Sequence, residues 1–224
     1  MKASKVFLLA ALCLALTACG APKNEASSEA SQSEAASSVS TEEKTDEASS
    51  EGAKEAAAEA DFEVAEVEGG VEITKYVGAG GTVVIPETIG GKTVVRLASG
   101  LFRSATEVEE VVMPDTVTAI GDNLFSASTV SAVTLSKNLK VLSDRTFFGA
   151  KRISTIVLPE GMEEIGNGAL TSLSGLKEVV VPSTVAKISA QTLAFCPSDL
   201  VVKGAAGSAI ETYCKDNGLT FEAQ

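Results

Sequence analysis

The sequence has no histidine, no tryptophan and only two tyrosines among its 224 residues. Without imidazole there can be no Ser-His or Cys-His nucleophile pair, no histidine metal site and no histidine pH switch. So few large aromatic rings argue against a platform for stacking sugars. Cations are scarce as well: 18 Lys and Arg stand against 30 Asp and Glu, a net charge of −12. That sign excludes nucleic acid as the expected partner, because phosphate binding needs a cationic face. Long apolar runs are also missing from the leading segment. Residues 6–16 (VFLLAALCLAL) are apolar, but a membrane-spanning helix needs about 20 such residues. The hydrophobic fraction of 45% is enough for a folded protein, yet it is unevenly spread.

The first residues carry an address. Lys2 and Lys5 precede the apolar run, which ends in Leu16-Thr17-Ala18-Cys19 followed by Gly20. This pattern resembles the signal and lipobox of bacterial lipoproteins. The resemblance implies a signal peptide over residues 1–18, cleavage before Cys19, and diacylglycerol on the Cys19 thiol. The mature protein would then be lipid-anchored in the cell membrane, facing outside the cytoplasm. Cys13 would leave with the signal peptide, so Cys196 and Cys214 would remain. In an exported chain these two are able to pair. Cys196, however, falls in a repeat column with Ala105, Ser128, Ala150 and Leu173, and the reading preferred is two buried free thiols.

Residues 19–61 form a second region, a lipid-anchored linker of Ala, Ser and Glu. From residue 20 it holds eleven acidic and three basic residues, no aromatic residue, and Val39 as its single large aliphatic one. Such a segment buries too little apolar surface to offset the entropy of ordering it, so a disordered spacer is expected. As a flexible coil it spans roughly 35 Å root-mean-square. Residues 55–59, rich in Ala and Glu, are good helix formers and suggest a transient helical turn.

Beyond residue 62 the chain repeats. Val84-Ile85-Pro86 recurs as Val112-Met113-Pro114, Thr134-Leu135-Ser136, Val157-Leu158-Pro159 and Val180-Val181-Pro182, fading at Val202-Lys203-Gly204. Met113, Leu135, Leu158, Val181 and Lys203 step by 22, 23, 23 and 22 residues. Further apolar columns follow in register. One runs through Ile89, Val117, Leu139, Met162 and Val185, another through Leu97, Ile120, Leu142, Ile165 and Ile188. A third runs through Phe102, Phe125, Phe147, Leu170 and Leu193. No single module can bury its own apolar columns, and stacking the modules as coils solves this. The apolar-x-apolar run becomes a parallel strand with its middle residue outward. Proline ends the strand, the next segment forms a short helical turn, and Phe or Leu plugs the interior. Gly121 and Gly166, at one matching position, suggest a tight backbone approach.

These columns resemble the BspA-like, surface-antigen type of bacterial leucine-rich repeat, over roughly residues 72–204. The resemblance implies a β-rich leucine-rich-repeat solenoid of five to six coils, capped at both ends. Cap strands are expected over residues 62–82, repeats over 83–203, and a closing helix and strand over 204–224. Ser136 in place of a repeat proline, and Leu in place of Phe in the last two plug positions, depart modestly from the pattern. The family further implies adhesion or recognition at the cell surface.

Searches for chemistry give little. Gly90-Gly91-Lys92-Thr93 resembles the tail of a phosphate-binding loop, but Pro86 stands where that loop needs glycine, so a turn is expected. Ser174-Gly175-Leu176-Lys177 matches Ser-x-x-Lys without its companion motifs. The pairs Glu109-Glu110 and Glu163-Glu164 have no deep cleft to raise a pKa, and no carboxylate cluster has calcium-loop spacing. No enzyme, cofactor or metal site is expected. Two surface features remain. The outward strand residues Val84, Val112, Thr134, Val157, Val180 and Val202 would form an apolar ridge, either a protein contact site or plain β-propensity. Lys137, Lys140, Arg145, Lys151 and Arg152 make the third copy basic. Cross-coil pairing to Asp115, Glu160 and Glu163 is favoured over an anion site, though Lys151 and Arg152 have no evident partner. The expected function is a non-catalytic, lipid-anchored surface protein that binds another protein of unknown identity. The alternative is a spacer packing against itself or the cell wall.

Overall fold

The structure, a computed structural model, describes residues 55–224. The expected signal peptide, Cys19 and most of the acidic linker lie outside the described residues.

A 3-10 turn (Glu59–Asp61) leads into an antiparallel hairpin of β1 (Phe62–Val67) and β2 (Gly70–Tyr76). β3 (Gly81–Val84) opens the front sheet. β4 (Thr88–Ile89) and β5 (Lys92–Leu97) form a second hairpin. Its turn residues Gly90 and Gly91 have φ of 58° and 75°, as a type I′ turn requires. Each later coil adds one front strand and one short side strand. These are β6 (Val108–Val112) with β7 (Ala119–Ile120), and β8 (Ala132–Thr134) with β9 (Val141–Leu142). They continue as β10 (Thr155–Val157) with β11 (Glu164–Ile165), and β12 (Glu178–Val181) with β13 (Lys187–Ile188). β14 (Val201–Gly204), helix α1 (Ala209–Asn217) and β15 (Thr220–Ala223) close the array. Six front strands thus wind in succession from β3 to β14, and β15 adds a seventh rung.

Neighbouring front strands pair in parallel register, Val83 with Val111 with Val133, and Ile156 with Val179 with Val202. The front ladder runs β3-β6-β8 and then β10-β12-β14-β15, while the side ladder runs β1-β2-β5-β7 and then β9-β11-β13. Both ladders are therefore interrupted beside the third coil, between β8 and β10 in front and between β7 and β9 at the side.

The interior is filled column by column, as the sequence periods predict. Val83, Val111, Ile156, Val179 and Val202 are all buried, as are Ile85, Met113, Leu135, Leu158 and Val181. Phe102, Phe125 and Phe147 lie one above another, their rings stacked at 5.5 and 5.2 Å with interplanar angles of 6° and 12°. Tyr76 continues the pile over Phe102 at 5.7 Å, and Phe62 follows at 5.4 Å. The N-terminal hairpin thus caps the core with the same aromatic contacts that fill it.

The segments expected to be short helical turns are chains of single turns instead. All but the last have two left-handed positions, and the last has one. One column is Gly100, Asn123, Arg145 and Gly168, and the other is Ser104, Ala127, Gly149, Ser172 and Phe195. A left-handed residue breaks the run of helical φ and ψ after one turn. The freed amides bond to the next coil, as in Phe125 N–H to the Thr146 carbonyl at 2.7 Å and Phe147 N–H to the Ala169 carbonyl at 2.8 Å.

Both ends are covered, as a solenoid requires. Residues 55–58 are extended, not helical, and the Ala57 N–H donates to the Val84 carbonyl at 2.9 Å, along the outer side of β3. Ala and Glu are good helix formers, but propensity yields readily to tertiary contacts, and this edge contact outweighs it. At the other end Gly218, at φ 66°, stops α1 in a left-handed cap with its N–H on the Cys214 carbonyl. The Tyr213 hydroxyl accepts the Leu193 N–H at 3.1 Å and donates to the Ala190 carbonyl at 3.2 Å, tying the helix to the fifth coil.

Candidate functional site: the front sheet

The outward residues of the front strands line up where the ladder pairs them. Val84 faces alongside Val112 and Thr134, and Val157 alongside Val180. The last member differs from expectation. Val202 pairs with the inward residue Val179 and is fully buried, while Lys203 takes the outward place beside Val180. The final strand keeps the 23-residue step of the coils before it, so the 22-residue step read from the sequence, Val181 to Lys203, is one residue short. The apolar ridge is therefore five residues, and it ends in the Lys203–Glu178 ion pair at 2.6 Å.

Within the ridge Val84, Val112 and Val180 are half-buried, and Thr134 is exposed. Val157 stands out at 58% exposure. A groove of about 450 Å³ lies on one side of it, where the ladder is interrupted between β8 and β10, lined by Val133, Thr134, Leu135, Lys137, Val157 and Pro159 among others. Val133 in its floor is only half-buried, although Val111 and Ile156 in the flanking strands are buried. On the other side a second groove, about 330 Å³, runs between Val157-Leu158-Pro159 and Val180-Val181-Pro182. Sequence reasoning missed both grooves. The one local signal was Ser136, which replaces the strand-ending proline in the third coil. Its buried hydroxyl donates to the Val117 carbonyl at 2.6 Å and accepts the Asn138 N–H at 3.2 Å.

The basic residues of the third copy do not form one site. Lys137 pairs with Asp115 at 3.2 Å, and its backbone N–H and ammonium together hold the Asp115 carboxyl below its ordinary range. Lys140 pairs with Glu163 at 3.7 Å and donates to the Gly161 carbonyl at 3.0 Å, and Lys187 pairs with Glu164 at 3.3 Å. Glu160 takes no part. These exposed pairs fix the order of the coils more than they stabilise them. Arg145, Lys151 and Arg152 have no carboxylate within 4 Å among the described residues, and they sit on the turns at the rear or the loop leaving them.

Cys196 and Cys214 are unpaired thiols. Cys196 contacts the Leu170 carbonyl at 3.1 Å through its Sγ. Burial pushes both thiols up, Cys214 to about 11, so neither is a ready nucleophile at neutral pH. No group of three His, Cys, Asp or Glu among the described residues is placed to hold a metal ion. The front sheet thus offers an apolar ridge between two shallow grooves, suited to contact rather than to proton transfer.

Comparison with known proteins agrees with this geometry. Residues 83–213 match, in six copies, the family described as BspA type leucine rich repeat region. A leucine-rich repeat protein of T. pallidum is 26% identical, with a TM-score of 0.62 over 66% of this chain and 71% of that one. A leucine rich cell surface protein of Faecalibacterium prausnitzii, 23% identical with a TM-score of 0.56, aligns over 69% of this chain but 39% of its own. A leucine-rich repeat protein from Bacteroides ovatus, 21% identical with a TM-score of 0.53, aligns over 64% of this chain and 45% of its own. These last two share the fold. No curated protein matches the chain.

Proposed function

This chain belongs to the BspA-type leucine-rich-repeat family, and we propose that it is a non-catalytic surface lipoprotein that captures another protein on its front sheet. The observation that carries the reading is Val157, exposed on an apolar ridge with a groove on each side. Exposed valine between concave apolar surfaces is the anatomy of a contact-site core, where a partner side chain fills a groove and excludes water. Placement outside the cytoplasm draws on the Leu16-Thr17-Ala18-Cys19 pattern and on the likeness to the leucine rich cell surface protein of Faecalibacterium prausnitzii.

Two experiments test the two parts. Val157→Lys with Val180→Lys puts charge into both grooves while leaving the core columns intact. Capture of a cross-linked partner from intact cells should fall at least about 10-fold, since a desolvated charge at a contact core costs 2 kcal/mol or more. Unchanged capture would rule out the front sheet. Separately, Cys19→Ser should abolish incorporation of a labelled fatty acid and move the protein from the detergent to the aqueous phase in a phase-separation assay. A variant still labelled and still in the detergent phase would refute the anchor.

A further inference from the structure

The unpaired cations of this acidic protein are gathered at the rear. Eight Lys or Arg residues make ion pairs among the described residues, all on the front, side or caps: Lys75, Lys92, Arg96, Lys137, Lys140, Lys187, Lys203 and Lys215. Five have no carboxylate within 4 Å there: Arg103, Arg145, Lys151, Arg152 and Lys177. Four of these five, all except Lys177, lie on the rear turns or on the loop leaving one of them.

Two exposed phenylalanines share that surface. Inter-coil bonds from Ser104 N–H to the Ser126 carbonyl, Ala127 N–H to Phe148, Gly149 N–H to Thr171 and Ser172 N–H to Ala194 set the columns. Arg103 and Phe148 fall in one column, two coils apart, and Phe195 falls in the next column two coils further on. At an inter-coil spacing of roughly 5 Å, Phe148 and Phe195 stand about 10 Å apart. Between them lie only small side chains: Thr171 is buried, and Gly149 and Ser172 are half-buried. Phe148 is 40% exposed and Phe195 85%. Phe195 also has φ of 57°, where its column otherwise holds Ser, Ala or Gly. A bulky aromatic residue in the left-handed region is strained, and here no core contact compensates for it. Asp122 and Asp144 lie at the shoulder of this surface, where Asp144 accepts the Asn167 N–H at 2.7 Å, and exposed Glu107 and Asp199 stand on the loops that match that of Lys151 and Arg152 in the first and fifth coils.

The geometry points to the rear as a docking surface for an anionic phospholipid bilayer, with Phe148 and Phe195 entering the interface and Arg103, Arg145, Lys151 and Arg152 meeting lipid phosphates. Uncompensated cations around exposed aromatic side chains match the two components of an interfacial membrane contact, apolar insertion and headgroup attraction. A polar or acidic protein would satisfy the cations but leave both rings in water. With the rear on the bilayer, the front sheet faces away from it.

The test uses the chain from Gly20 onward, which lacks the lipidated cysteine and keeps every described residue. Co-sedimentation with vesicles of three parts phosphatidylcholine to one part phosphatidylglycerol should show binding that pure phosphatidylcholine does not support. Arg145→Gln with Lys151→Gln and Arg152→Gln should weaken it about 100-fold, since each cation near such a surface contributes about fivefold. Phe148→Ser with Phe195→Ser should weaken it at least about 10-fold. Thermal melts check that each variant folds. Lys75→Gln with Lys92→Gln and Lys187→Gln, the same change in net charge elsewhere, should leave binding within about twofold. No sedimentation, equal binding to neutral vesicles, or an equal loss in the Lys75, Lys92 and Lys187 variant would each overturn the proposal.

Discussion

Phe125→Ala should remove about 3–5 kcal/mol of folding stability, the largest loss expected from any single truncation in the repeats. Phe125 is fully buried, with Phe102 stacked on one side at 5.5 Å and Phe147 on the other at 5.2 Å. Alanine leaves a ring-sized void between two rings that cannot close on each other, because the backbone ladder fixes the spacing of their coils. The lost stacking contacts add to the transfer and cavity terms. At 2–4 °C per kcal/mol for a body of this size, the melting temperature should drop about 10 °C. Phe125→Leu is the control. Leu170 and Leu193 already plug the later coils, so leucine should cost about a third as much. A loss below about 1 kcal/mol for Phe125→Ala, measured by denaturant unfolding, would show that the stack does not hold the coils together.

Gly121→Ala should cost about 2–3 kcal/mol for a different reason. A Cβ at residue 121 would sit 2.3 Å from the Ser99 amide nitrogen and 2.6 Å from its Cα. Backbone cannot swing aside as a flexible side chain can. The coils are also joined at that spot by Gly121 N–H on the Leu97 carbonyl at 2.8 Å and Asp122 N–H on the Ser99 hydroxyl at 3.1 Å. The methyl group therefore prises the first two coils apart, an overpacking strain of up to about 3 kcal/mol, and the entropy lost by the unfolded chain returns only about 0.4–1 kcal/mol. Gly149→Ala makes the contrast. Gly149 has φ of 70° but nothing within 4 Å of its Cβ, and its column elsewhere holds Ser104, Ala127 and Ser172. That substitution should cost about 1 kcal/mol. Equal effects at the two glycines would contradict the close approach at residue 121.

Most of the winding was legible because burial repeats with the chain's own period. Nearly every step of each column holds an apolar side chain, and the spacing of Phe102, Phe125 and Phe147 alone marks them as one stack. The ridge was legible as far as Val180 and failed at Val202. A strand of alternating residues reverses its faces with a one-residue slip, and a step of 22 from Val181 to Lys203, where the strand keeps 23, is a slip that Val201-Val202 cannot reveal, since both are valine. The grooves beside Val157 were not legible: the first arises from a missing ladder between β8 and β10, and neither follows from any residue type. The rear was half visible. Lys151 and Arg152 stood out as unpartnered, but the rings of Phe148 and Phe195 are placed on the same surface only by the fold, Phe195 through its left-handed backbone.

The bond from Ala57 N–H to the Val84 carbonyl bears on assembly. The front sheet of a solenoid is an invitation to head-to-tail growth, since its first and last rungs are complementary in direction. Here the first rung is already occupied by the chain's own lead-in, whereas β15 has a ladder neighbour on one side alone. A fibre would have to strip residues 55–58 from every subunit it added.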